Sequence, residues 1–377
     1  MSSPATLADA TALLTKWAAV DVSAIRQNTA AVLAAMGDGV EMMAMVKAGG
    51  YGHGGALAAR AALEGGATWL GVSSAEEALA LRAEGLTAPI LVAGWSPPGR
   101  LAALVAAGVH LTAWEPDQVV AAAQVGTRQT PALLHLKVDT GMGRLGCRPE
   151  ALPALADAVR RGGARVRPVG TFTHFADAEG DIEHTRLQEH RFREAVESLR
   201  RRWPDLVLHA ANSAAALRLP ETRHDLVRCG IALYGYPPAG AGPGLRPAMT
   251  VTARVTMVKT VRPGESVGYG RTWVARRPTR VATVAAGYAD GLHRAHSNRG
   301  AVLIGGRRCP IIGTVSMDQH TADVSEAGEV RPGDEAVLVG RQGGAWLGAD
   351  DVARAVGTIS YEVLCSVSSR VPRLRTG

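Results

Sequence analysis

Cysteine and lysine are scarce in this chain, and long apolar runs are missing. The four cysteines, Cys147, Cys229, Cys309 and Cys365, lie far apart and form no C-x-x-C pair, so neither a disulfide framework nor a zinc or other metal site is expected. Buried free thiols are the expectation instead. No apolar stretch approaches the length of a bilayer crossing, and the first sixteen residues lack a basic start followed by an apolar block and a small-residue cleavage site. These absences point to a cytoplasmic protein with no membrane partner. The sequence also contains no H-E-x-x-H or P-loop pattern, which argues against a zinc protease and an NTPase.

Only Lys16, Lys47, Lys137 and Lys259 are lysines among 41 basic residues. A lysine kept in an arginine-biased chain suggests amine chemistry, because a guanidinium neither forms an imine nor deprotonates near neutral pH. The net charge of +7 is spread among interspersed acids. Apart from Arg200, Arg201 and Arg202 there is no basic stripe with interleaved aromatics, so attraction for small anions or a solvated basic surface, rather than nucleic-acid binding, is the expectation.

What the chain does have is rhythm. Its 377 residues, 47% hydrophobic and 20% charged, suffice for two domains with buried cores. Short apolar runs at 42–48, 69–73, 89–93, 110–114, 133–139, 166–175, 206–212 and 226–234 alternate with segments of helical spacing, such as 153–161 and 183–200. Ser74, Ala75, Glu76 and Glu77 read as a capped helix start. The fold class predicted is α/β: an N-terminal (β/α)8, TIM-like barrel over 1–248, followed by a mainly β C-terminal domain over 249–377. Roughly the first 17 residues are candidates to pack with the β domain. Its turns include Arg262-Pro263-Gly264-Glu265 and Arg331-Pro332-Gly333-Asp334. Barrels of this kind carry their chemistry at the C-terminal strand ends. Lys47, Lys137, Asp139, His174, Asn212, Ser213, Arg228 and Gly230 all fall there.

Two motifs compete for attention. Gly141-Met142-Gly143-Arg144-Leu145-Gly146 fits the dinucleotide pattern G-x-G-x-x-G, but Arg144 occupies the turn that should open a helix and Pro149 follows closely. The unit also comes fifth in the series rather than first. NAD binding is therefore rejected. In Met45-Val46-Lys47-Ala48-Gly49-Gly50-Tyr51-Gly52-His53-Gly54, a lysine at a strand tip loses water contacts, which lowers its pKa and favours attack on an aldehyde. The glycines permit a tight turn beside a bulky ligand, and Tyr51 is placed to reach a phosphate. Taken alone, Lys47 also reads as a solvent-facing lysine.

This segment resembles the cofactor-lysine motif of the alanine racemase family. The resemblance continues through Lys137-Val138-Asp139-Thr140-Gly141-Met142-Gly143-Arg144-Leu145-Gly146, Thr173-His174-Phe175-Ala176, Ala211-Asn212-Ser213 and Val227-Arg228-Cys229-Gly230-Ile231-Ala232-Leu233-Tyr234-Gly235. It extends to Val267-Gly268-Tyr269-Gly270-Arg271-Thr272-Trp273, Gly287-Tyr288-Ala289-Asp290-Gly291, Met317-Asp318-Gln319 and Thr358-Ile359-Ser360-Tyr361-Glu362.

The resemblance implies interconversion of L- and D-alanine, supplying D-alanine for cell-wall peptide, with pyridoxal 5'-phosphate held as an imine on Lys47. It implies that Tyr51, Asn212, Ser213 and Tyr361, with the amides of Gly230 and Ile231, hold the cofactor, and that Arg228 faces its pyridine nitrogen. Lys47 serves one face of the substrate α-carbon and Tyr269 the other. A free tyrosine ionises near roughly pH 10, so the phenol needs the help of His174. Arg144 and the Met317 amide orient the substrate carboxylate, Tyr288 lines the entrance, and Lys137 is carbamylated so as to position Arg144. Tyr269 arrives from a second subunit, which implies a homodimer with shared active sites.

Read without the resemblance, Tyr361 is a core tyrosine, His174 a satisfied barrel histidine, Arg228 a surface ion-pair partner, and Lys137 a lysine paired with Asp139. Gly49 and Gly50 replace the family's usual Asn-Ala or Asp-Ala, Ser316 stands where Cys is common and Ser360 where Asn is. These departures bear on entrance shape and substrate breadth. Alternative functions are a racemase accepting serine or other small side chains, a barrel-type amino-acid decarboxylase, and a non-enzymatic pyridoxal-phosphate carrier. Carriers resemble the barrel alone, and Tyr269 with Arg228 argues against decarboxylation.

Overall fold

Short apolar runs separated by amphipathic helices form a parallel sheet because each helix returns the chain to the same edge. In the computed structural model, which describes residues 7–238 and 242–377, eight such strands make one sheet. Part of the segment on which the leader expectation rests lies outside the described residues. The first strand, β1 (Lys16–Asp21), belongs to a different sheet. The next eight are β2 (Glu41–Met45), β3 (Trp69–Val72), β4 (Ile90–Val92), β5 (His110–Ala113), β6 (Ala132–Lys137), β7 (Val166–Phe172), β8 (Val207–His209) and β9 (Leu226–Cys229). They run in the order β8-β7-β6-β5-β4-β3-β2-β9. Hydrogen bonds from the Asp225 amide to Leu208 O (3.2 Å) and from the Arg228 amide to Ala211 O (2.9 Å) bring β9 back to β8, so the predicted eight-stranded barrel nearly closes.

Each of the eight runs contains a strand, and each strand stops short of its run's end. The run 226–234 divides into β9 and a 3-10 turn at Ile231–Tyr234, and 206–212 yields only β8. Apolar composition marks what is buried, whereas a strand ends where its ladder of hydrogen bonds ends. The residues beyond the ladder turn out of the sheet, and Lys47, His174, Asn212, Gly230 and Ile231 lie among them.

The helices start as expected. Ser74 caps Ala75–Ala83: its Oγ accepts from the Glu77 amide (3.3 Å) while the Glu77 carboxylate accepts from the Ser74 amide (3.3 Å). The predicted helices at 153–161 and 183–200 appear as Leu152–Gly162 and Ile182–Arg202.

The barrel interior departs from the usual layers of branched aliphatic side chains. His110, His135 and His209 cross it in a hydrogen-bonded row, with His110 Nδ1 3.2 Å from His135 Nε2 and His135 Nδ1 2.9 Å from His209 Nε2. Trp69 meets His110 edge-on at 4.8 Å, and Phe172 stacks on His209 at 4.7 Å. Gly170 makes room for the row, because a Cβ there would lie 2.5 Å from His135 Nδ1.

The chain divides into two compact units. The barrel unit comprises Ala24–Gly50 and Gly55–Arg246; the other comprises the chain up to Ser23, Tyr51–Gly54 and Pro247–Gly377. The second unit is mainly β. Its long strand β10 (Met249–Val261) pairs antiparallel with β1, with Thr279–Val284 and with Glu335–Gln342, and β1 pairs parallel with Arg373–Thr376. The turn at Arg262–Glu265 closes through the Glu265 amide to Arg262 O (3.0 Å), with Gly264 at a φ of 87°. Buried Asp290 accepts from Lys16 Nζ at 2.7 Å. That lysine therefore has a structural task, and its retention is no sign of amine chemistry. Three cysteines are buried as expected, but Cys365 is exposed. Among the described residues no helix is long and apolar enough to cross a membrane.

Burial holds His110 down to about 4, and it drives His135 and His209 well below the ordinary value of 6.5. Unfolded chains bind protons at these imidazoles below about pH 6.5, while the folded barrel does not. Stability from these groups is thus complete above pH 6.5 and is lost as pH falls toward 4, by about 1.4 kcal/mol per pH unit for each histidine. Urea titrations across this range check the slope, and flat stability would contradict the neutral row. Gly170→Ala should cost about 1–3 kcal/mol through overpacking against His135, read from the same titrations at pH 7.

Candidate active site

The candidate lysine sits where β2 ends. Met45 O accepts from Tyr234 Oη at 3.0 Å, and the Val46 amide donates to Gly71 O at 2.9 Å. Beyond Lys47 the chain winds left-handed, with φ of 52° at Ala48, 61° at Gly49, 66° at Gly50 and 52° at Tyr51. For an L-residue with a Cβ this hand costs about 1–2 kcal/mol, and glycine avoids most of that cost. Gly49 and Gly50 thus relax a turn that residues with side chains would strain. Gly50 is also tightly packed, since a Cβ there would come within 2.8 Å of Ala58 Cβ.

Arg228, in β9, is buried and not a surface ion-pair partner. Its Nη1 donates to His209 Nδ1 (3.1 Å) and His209 O (3.0 Å), and its Nη2 to Thr173 O (2.8 Å), His174 Nδ1 (3.0 Å) and Ala210 O (3.0 Å). Among the described residues only its Nε–H lacks an acceptor. A guanidinium can only donate. His209 must therefore accept at Nδ1 and carry its proton on Nε2, and the same assignment passes to His135 and then to His110. His174 is fixed likewise, with Nδ1 accepting and Nε2–H left to donate. Burial, then Arg228, keeps its imidazole neutral by driving the pKa well below 6.5.

Cations crowd this mouth. Burial, followed by the charges of Arg228 and Arg144, pushes Lys137 down to about 8; Asp139 raises it and Lys47 lowers it further. The Lys137 ammonium lies 5.2 Å from the Phe172 ring centre, as does the Arg228 guanidinium. Asp139 turns the other way: its Oδ1 accepts from the amides of Gly141 (3.0 Å), Met142 (2.9 Å) and Gly143 (3.1 Å). Gly146 closes this loop, because a Cβ there would lie 2.6 Å from the Asp139 amide nitrogen. The glycine pattern thus builds a carboxylate-braced loop that presents exposed Arg144 and opens no nucleotide-binding helix.

Anion-binding groups stand beside these cations. Asn212 caps the helix Ser213–Arg218, its Oδ1 accepting from the Ala215 amide at 3.0 Å. Buried Ser213 Oγ accepts from the Gly230 amide at 2.9 Å, so that amide is engaged, and Ile231 opens the 3-10 turn. The helix starts at Ser213 and Ile231 supply partial positive charge.

The remaining candidates belong to the second unit. Tyr51 is buried, with its ring 6.1 Å from that of half-buried Tyr361. Tyr269 is 74% exposed in a turn between Gly268 and Gly270; its carbonyl accepts from Thr314 Oγ1 at 2.8 Å. It borders a cavity of about 410 Å³ also lined by Thr283, Thr314, Ser316 and Gln319. The Tyr288 amide donates to Ser316 O and the Ala289 amide to Met317 O, each at 3.0 Å, so the loops carrying Tyr288 and Met317 are tied together. Asp290 anchors them, accepting from the Gly287 amide (3.0 Å) and facing Arg370, which pairs with Asp318 at 2.7 Å.

The sequence reading passed over His110, His135, His209 and Asp290. The signal available was a histidine within each of β5, β6 and β8, with His135 two residues before Lys137 and hence on the same face.

Residues 20–238 match the model of the alanine racemase N-terminal domain, and 248–375 that of the C-terminal domain. An alanine racemase of Symbiobacterium thermophilum is 44% identical, covering 96% of this chain and 97% of that one. That of Thermobifida fusca is 45% identical, covering 96% and 98%. Among solved structures, alanine racemase from Bacillus anthracis with bound L-Ala-P superposes with a TM-score of 0.90 at 35% identity, covering 96% of this chain and 95% of that one. The enzyme of Streptomyces coelicolor A3(2) gives 0.90 at 38%, covering 98% and 100%. With both domain models matched and relatives alike along nearly their whole length, this chain belongs to the alanine racemase family.

Proposed function

We propose that this protein interconverts L- and D-alanine on pyridoxal phosphate held by Lys47, in the cytoplasm and as a homodimer. The observation that carries the reading is the buried Arg228, whose Nε–H alone lacks an acceptor among the described residues, at a mouth crowded by Lys47, Lys137 and Arg144. Such a donor suits an unprotonated pyridine nitrogen, and the helix starts at Ser213 and Ile231 suit a phosphate. When bound, the cofactor draws electrons from the substrate α-carbon and so acidifies its proton. By facing the ring nitrogen and keeping it unprotonated, the Arg228 cation would limit that withdrawal and disfavour side reactions such as transamination.

Lys47 moves the proton on one face of the α-carbon and Tyr269 on the other. His174 is left with Nε2–H as its donor, backed by the Arg228 charge at Nδ1, and so stabilises a phenolate oxygen brought to it. Arg144 and the Met317 amide orient the carboxylate, Tyr51 and Tyr361 complete the cofactor contacts with Asn212 and Ser213, and Tyr288 lines the way in. The 74% exposure of Tyr269 supports its service to a partner subunit. A Lys137 pKa near 8 leaves part of the amine neutral at cellular pH, as addition to carbon dioxide requires; the carbamate formed, with release of a proton, supplies an anion among these cations.

α-Proton exchange and optical rotation with L-Ala, D-Ala and L-Ser test the reading. Lys47→Ala should abolish the visible absorbance of bound cofactor and exchange of both alanine enantiomers. Tyr269→Phe should lose exchange of one enantiomer by about 100-fold or more; wild-type exchange of both would refute the two-base assignment. Activity should fall in carbon-dioxide-free buffer and return with bicarbonate, more completely at higher pH. Lys137→Ala should remove that response, and a carbon-13 carbamate signal should be seen only in wild type.

A further inference from the structure

We propose that Glu77 is the positioning residue for Lys47. Its carboxylate joins two strand ends at the barrel mouth. Oε1 accepts from the Ala48 amide at 2.6 Å, while Oε2 accepts from the amides of Ser73 at 2.8 Å and Ser74 at 3.3 Å. The Ser74 bond is ordinary helix capping, but the Ala48 bond is not. Ala48 directly follows the candidate lysine, lies beyond the end of β2 and adopts a φ of 52°. On the other side of Lys47, the Val46 amide is held by Gly71 O at 2.9 Å. Lys47 is therefore held from both sides, by a β3 carbonyl through Val46 and by Glu77 through Ala48. The second tie is charge-assisted, hence shorter and stronger than a neutral hydrogen bond. Removing it frees the turn to unwind and lets the amine drift from the mouth. Small misplacements of a reacting group are costly in rate.

The proposal rests on the reading of Lys47 as the cofactor lysine, so its test separates the two. Glu77→Ala, Glu77→Gln and Ser74→Ala are compared with wild type. Ser74→Ala removes the serine half of the helix cap but leaves the carboxylate on Ala48. Three quantities are read on the full chain: amide hydrogen exchange over residues 46–50, the rate of pyridoxal phosphate uptake by stripped protein from its visible absorbance, and the thermal midpoint.

Glu77→Ala should speed exchange at 46–50 at least tenfold and slow uptake about tenfold. In the reloaded enzyme it should lower kcat for L-alanine with little change in KM. Glu77→Gln should fall between, because an amide offers one acceptor and turns its NH2 toward an N–H. Ser74→Ala should lower the thermal midpoint as Glu77→Ala does, with uptake and 46–50 exchange close to wild type. Unchanged exchange in Glu77→Ala overturns the clamp, as does equally slowed uptake in Ser74→Ala, which would reduce Glu77 to a helix cap. Wild-type protein that protects 46–50 yet takes up no pyridoxal phosphate overturns the role of Lys47 itself, and with it the purpose of the clamp.

Discussion

A guanidinium with no carboxylate partner among the described residues organises the barrel interior. Removing a cation from water costs several kcal/mol, and here the compensation comes from the carbonyls of Thr173, His209 and Ala210 and from two imidazole nitrogens. None of those groups cancels the charge. It consequently acts on everything near it: Lys137 and His174 both have Arg228 as the largest influence after burial itself, and both are pushed toward neutrality. Because the group donates and never accepts, it also gives the row of histidines its direction.

A concentration of positive charge suits an anion. The mouth gathers Lys47, Lys137, Arg144 and Arg228, while Asp139, the nearby carboxylate, is turned onto backbone amides. A phosphate, a substrate carboxylate and a carbamate on Lys137 would each answer that excess. The proposed chemistry and the electrostatics are thus two descriptions of one imbalance.

Backbone geometry provides the second constraint. Strands end abruptly at the mouth, and the residues just past them carry the chemistry. A left-handed turn immediately after Lys47 is one result, and the carboxylate-braced loop that carries Arg144 is another. Glycines at 49, 50 and 146 make these turns attainable; Gly170 serves the interior by yielding space to His135.

Much of this was legible in the residues. Eight apolar runs were enough to count the barrel strands, since burial demands apolar side chains, and the motifs around Lys47, Arg228 and Tyr269 were enough to suggest the family. The limits of each strand were not legible, because a hydrogen-bond ladder ends where its neighbour does. The histidine row was equally hidden: His135 and His209 are 74 positions apart, and only barrel closure makes them neighbours. Lys16 looked like a candidate for chemistry until the fold gave it to Asp290. The sequence by itself determined which groups are present and in what order they meet the strand ends. Only the tertiary structure decided which of them share a proton, a charge or a backbone amide, because those interactions act over a few ångströms of space and take no account of separation along the chain.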